Sequence, residues 1–104
     1  MAWIILVVSG VLEAVWATAL GRSEGFSRPV PTTVFGVALV LSMVGLAYAM
    51  RTLPTGTAYA VWVGIGASLT VVYAMVTGTE PVTVARVVFL VLIISGIVGL
   101  KLVG

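Results

Sequence analysis

Glu13 is a carboxylate set inside an otherwise apolar run, Ala2–Leu20. An ionisable group near the middle of a membrane span costs roughly 2.5–3.5 kcal/mol on insertion scales, so it is seldom there without a reason. Its helical neighbours at spacings of three and four are Ser9, Gly10, Trp16 and Ala17. That stripe is small and polar with one aromatic, which does not suit a surface facing lipid. Two readings stay open: a structural glutamate hydrogen-bonded inside a bundle, or a carboxylate lining a water-accessible cavity where it meets a cation or a proton. A second candidate face carries Tyr59, Trp62, Val63 and Gly66, again at helical spacing, with Tyr59 and Trp62 stacked. Such aromatics either mark a membrane interface or form a wall that attracts a cation. Gly64 and Gly66 flank Ile65 and offer a hinge where a helix could bend. Ser95 and Gly99 form a small-xxx-small pair suited to close packing between helices, and hence to dimer contacts.

The chain has no Cys, His or Asp, and its carboxylates are Glu13, Glu24 and Glu80. Thiolate nucleophiles, imidazole relays and the usual metal sites are therefore excluded, and no metal or cofactor is expected. With no nucleophile–base pair, the chain does not read as an enzyme.

The elements that must hold these residues follow from composition. Of 104 residues, 62% are hydrophobic and 8% charged, against about 25% charged in a soluble domain. The partner that solvates this surface is the lipid bilayer. A net charge of +2 from five basic residues is too thin for a nucleic-acid footprint. Length allows one domain, residues 1–104, with four apolar stretches at Ala2–Leu20, Thr32–Met50, Thr57–Val76 and Val84–Val103. Each is long enough as a helix to cross a hydrocarbon core of roughly 30 Å. Arg86 and Lys101 lie within a turn of the ends of the fourth, where long side chains reach the headgroups. None of the stretches alternates as a barrel strand would. The fold class is an all-α integral membrane protein of four transmembrane helices. Ala17-Thr18-Ala19 fits a signal-peptidase pattern, but no basic residue precedes the apolar run and Glu13 interrupts it, so the first span is expected to be retained.

Orientation is weakly encoded. Arg22, Arg28 and Arg86 fall on one side of the membrane, and Arg51 and Lys101 on the other. Three against two is almost no positive-inside bias. The alternatives are a weakly determined single topology, or a chain that inserts both ways and pairs head to tail.

The run Trp3-Ile4-Ile5-Leu6-Val7, then Gly10, Glu13, Trp16 and Ala17, then Gly25-Phe26-Ser27-Arg28, resembles the opening of the small multidrug resistance family of bacterial inner-membrane transporters. Leu53-Pro54-Thr55-Gly56-Thr57-Ala58-Tyr59-Ala60-Val61-Trp62 and Gly64-Ile65-Gly66-Ala67 resemble its third-helix signature, and Glu80-Pro81 and Gly99-Leu100-Lys101 extend the likeness over the whole chain. The guanidinium-exporting branch is the more similar one. Gly21, where the family usually has Lys, and Val63, where that branch commonly has Thr, depart from the pattern.

The resemblance implies an antiparallel, dual-topology homodimer, or a paired heterodimer as in some members. It also implies proton-coupled antiport in the inner membrane, with Glu13 surrounded by Trp16, Ser42, Tyr59 and Trp62. Protons and guanidinium or a related small organic cation would compete for the two Glu13 carboxylates, with Ser42 orienting them. Two rivals remain: an exporter of quaternary ammonium or other lipophilic cations, and a non-transporting membrane subunit in which Glu13 is structural.

Overall fold

A computed structural model describes residues 1–103, which form four helices and, among those described residues, no strand. Helix α1 spans Ala2–Arg22, α2 Pro29–Ala49, α3 Thr55–Val76 and α4 Val84–Val103. Each is long and apolar enough to cross a membrane.

Four ends differ from the apolar stretches read off the sequence: α2 stops at Ala49, not Met50, α3 starts at Thr55, not Thr57, and the other two differ for local reasons. Helix α2 begins at Pro29, not Thr32, because Pro29 and Pro31 fall in its first turn. There a missing N–H is no loss and the fixed φ suits a helix. Helix α1 runs on to Arg22, whose charge in the last turn complements the helix dipole. The turn between them is built on Ser23, which is fully buried. Its hydroxyl donates to the Leu20 carbonyl (2.8 Å) and accepts from the Phe26 N–H (3.2 Å). Glu24, Gly25 and Phe26 all take positive φ, and the Phe26 ring is held 5.7 Å from that of Phe35 on α2.

Helix α1 packs on both α2 and α3, while α4 packs on α3. Close approach depends on notches without side chains. A Cβ at Gly10 would lie 2.7 Å from Ile65 Cγ2 on α3, and one at Gly64 would lie 2.8 Å from Ile97 Cδ1 on α4. The buried cluster is small: Leu6, Leu46, Ala49, Ala58, Val61 and Trp62. Most large apolar side chains point outward, as expected where lipid tails replace water and packing, not burial, joins the helices.

Candidate functional site

The site is assembled from one face of each of the first three helices. On α1, the stripe expected around Glu13 turns inward: Ser9 and Gly10 are buried, and Glu13 and Trp16 are partly so. The Glu13 carboxylate lies against α3 at Gly66, where an added Cβ would stand 2.7 Å from Oε2 and 2.8 Å from Cγ. Any side chain at residue 66 would therefore displace the carboxylate. Oε2 is buried and, among the described residues, has no hydrogen-bond partner. Leaving a buried polar atom unpaired costs about 1–3 kcal/mol, more when it is charged.

Trp16 sits one turn further along α1. Its ring meets Phe35 edge-on at 5.9 Å between centroids, while its Nε1–H is buried without an acceptor among the described residues. Two buried groups three residues apart, one acceptor and one donor, thus remain unmatched among the described residues.

Trp62 is buried among the helices. Its Nε1–H donates to Ser42 Oγ (3.0 Å), and the Ser42 hydroxyl donates to the Ser9 carbonyl (2.7 Å). The Ser9 hydroxyl in turn donates to the Ile5 carbonyl (2.7 Å). This relay links α3 to α2 to α1 and fixes the Trp62 ring. Ser42, fully buried, directs its bonds to Trp62 and Ser9 rather than to Glu13. Tyr59 stacks on Trp62 with centroids 5.8 Å apart and planes tilted by 36°, and it remains 55% exposed. Its ring is therefore open to a ligand arriving from outside the chain.

The remaining sequence candidates are placed as follows. Helix α3 is continuous through Gly64 and Gly66, and both glycines are close-packing positions, Gly64 toward α4 and Gly66 toward Glu13. Ser95 is exposed on α4, Gly99 is half-buried, and a Cβ at Gly99 would meet nothing within 4 Å. Ser9 carries more than its position beside Glu13 suggested, since its carbonyl terminates the Trp62–Ser42 relay. The buried Ser68 hydroxyl, unpartnered among the described residues, gave no signal in the sequence.

Residues 1–93 match the family model described as Small Multidrug Resistance protein. The chain is 53% identical over 102 residues to a protein of Yersinia pseudotuberculosis serotype I (strain IP32953) named guanidinium exporter, covering 98% of each. Proteins of the same name from Escherichia coli (strain K12) and Proteus vulgaris are 49% and 46% identical over 102 residues, covering 98% of this chain and 97% and 98% of theirs.

Proposed function

Since this chain belongs to the small multidrug resistance family, as a multi-pass protein of the bacterial inner membrane, we propose that it exports guanidinium or small guanidinyl cations in exchange for protons. The observation that carries this reading is the Glu13 carboxylate within a helix long and apolar enough to cross a membrane, with a buried oxygen that nothing among the described residues satisfies. Relatives about half identical over nearly their whole length bear the name guanidinium exporter, which supports the choice of cation.

Guanidinium is planar, all donor and always charged near neutral pH. A carboxylate grips it with paired charge-assisted hydrogen bonds. The exposed Tyr59 ring, stacked on the immobilised Trp62, supplies an aromatic surface beside the cation. A proton and a guanidinium cannot both occupy one carboxylate, so exchange follows from competition at Glu13.

The functional unit in this reading is an antiparallel pair of chains carrying two Glu13 side chains in one cavity. The unmatched Trp16 N–H is then complemented by an acceptor from the second copy, a role its Glu13 fits. Helix α4 would supply the contact between copies: it packs on α3 alone among the helices and leaves Ser95 exposed. Gly64 and Gly66 lie two residues apart on α3, one against α4 and the other against the carboxylate. Bending there would link cation occupancy to rearrangement between copies.

The test is purified protein in liposomes, with guanidinium uptake compared to that of a large aromatic cation under an imposed proton gradient. Gradient-driven guanidinium flux exceeding that of the aromatic cation is expected. Preference for the aromatic cation would move the chain to the lipophilic-cation reading, and absence of flux for both would make Glu13 structural.

A further inference from the structure

Away from Glu13, the face of α1 bearing Val11, Val15, Thr18 and Arg22 forms the floor of a groove of about 710 Å³. The start of α2, at Val30 and Val34, and the end of α3, at Val72 and Val76, diverge to make its walls. The volume lies within the usual range for small-molecule sites, about 300–1,000 Å³. Its lining is almost wholly aliphatic until it reaches Arg22, Tyr73 and Thr77 at one end.

Those residues and Thr18 also line a second cleft of about 280 Å³, which adds Thr70, Thr79 and Glu80. The apolar groove and the polar cleft therefore share a wall, and Arg22 stands in it. The Arg22 guanidinium lies 5.4 Å from the Tyr73 ring centroid and donates one hydrogen bond, from Nη2 to the Tyr73 hydroxyl (3.1 Å). A guanidinium has five donors, and among the described residues no carboxylate pairs with this one. Along the cleft the threonine protons are already committed to backbone carbonyls: Thr70 to Gly66, Thr77 to Tyr73, and Thr79 to Ala74. With their protons so used, their oxygens are left as acceptors. Glu80 gives one oxygen to Arg86 and keeps the other.

An occupant that suits both spaces has a long apolar tail, an anionic group for Arg22 and a cationic N–H donor for Glu80 and the threonines. The geometry points to a phospholipid site, with an acyl chain in the groove, the phosphate on Arg22, and a primary ammonium in the cleft beside Glu80. Basic pockets between membrane helices bind the phosphates of cardiolipin and phosphoinositide heads, and Arg grips phosphate with two parallel bonds. The combination of one cation and one anion in a single cleft selects a zwitterionic head. A phosphocholine head has no N–H donors, and a phosphoglycerol head has no cation. This site is independent of which cation the protein carries.

The test is native mass spectrometry of the purified protein equilibrated with equimolar phosphatidylethanolamine, phosphatidylcholine and phosphatidylglycerol of matched chains. The wild type should retain phosphatidylethanolamine over each of the others by about fivefold or more, the ratio expected from one charge contact near the membrane surface. Arg22→Gln should reduce all three lipids to a common background, while Arg22→Lys should retain most binding. Glu80→Gln should remove the preference for phosphatidylethanolamine over phosphatidylglycerol, and Ala14→Phe, which fills the groove from a residue of α1 that also lines it, should reduce retention with the headgroup residues intact. Equal retention of the three lipids, unchanged by Arg22→Gln, would mean general solvation and overturn the site. A preference for phosphatidylglycerol would overturn the zwitterionic assignment. Lipid-free dimers in which Ala14→Cys is shielded from a maleimide would show that a second copy fills the groove instead.

Discussion

The Glu13 carboxylate occupies a notch that exists because residue 66 has no side chain: a Cβ there would lie 2.7 Å from Oε2. The clash falls on the far end of a flexible side chain, so the carboxylate can swing aside without moving a backbone. Gly66→Ala should therefore leave folding and insertion near wild type while lowering guanidinium affinity by about tenfold or more, the effect of roughly 1.4 kcal/mol. Gly64→Ala is the contrasting variant. Its Cβ meets Ile97 of α4, so it should loosen the α3–α4 contact and lower thermal stability more than affinity. Binding titrations and thermal melts of both variants in detergent check the split, which would fail if the two behaved alike.

Ser42 and Ser68 are both buried serines, but they should respond oppositely to truncation. Ser42→Ala removes the acceptor of the Trp62 indole and the donor to the Ser9 carbonyl. Leaving the indole N–H buried and unpaired should destabilise the protein by about 1–3 kcal/mol and alter the tryptophan fluorescence. The Ser68 hydroxyl has no partner to lose among the described residues, so Ser68→Ala should be neutral or mildly stabilising. Melting curves of the two variants side by side make the comparison.

The four helices and the carboxylate stand out in the sequence, because long apolar runs and a charge within one are local facts. Which faces meet is another matter. A helix in lipid is apolar all round and lacks the amphipathic stripe that shows which side turns inward in water. Hence Trp62 read equally well as an interface anchor or a wall of the site. What turns its indole into the bundle is the bond to Ser42, 20 residues away, and through it the carbonyl of Ser9, a further 33 residues away. Gly66 is similar: a glycine within a helix signals either flexibility or a notch, and only the carboxylate resting on it reveals the second. Ser42 itself entered through the family resemblance, since nothing within its uncharged span singles it out.

Topology follows from the near balance of Arg22, Arg28 and Arg86 against Arg51 and Lys101. A reporter fused to the C-terminus should be found on both sides of the membrane. Two or three extra lysines at that end should hold it on the cytoplasmic side and reduce export several-fold by starving the antiparallel pair of one orientation. Co-expression with a copy biased the other way should restore export. Full activity from a population of uniform orientation would count against antiparallel pairing.

The last prediction concerns protons. If guanidinium binds the ionised Glu13 and protonation abolishes that site, then binding one cation releases protons, and by linkage affinity must fall as pH falls. The sign is fixed: the proton-bound carboxyl is neutral and can no longer make the paired charge-assisted contacts. In the range where the free site is protonated, affinity should drop about tenfold per pH unit for each proton displaced, and it should level off where the site is fully ionised. With two Glu13 side chains in one cavity, the titration belongs to the pair, and its slope reports how many protons leave per cation. Glu13→Gln keeps the shape of the side chain but has neither a titrating group nor a charge. It should insert and pair normally, bind guanidinium weakly at every pH and carry no proton-driven flux. Glu13→Asp retracts the carboxylate by one methylene from its place against Gly66 and should retain a pH-dependent but weaker site. Guanidinium affinity measured from about pH 3 to pH 9, a window spanning the unperturbed carboxyl and the alkaline plateau, decides the matter. A wild-type affinity that stays flat across it would show that protons and cation do not share Glu13.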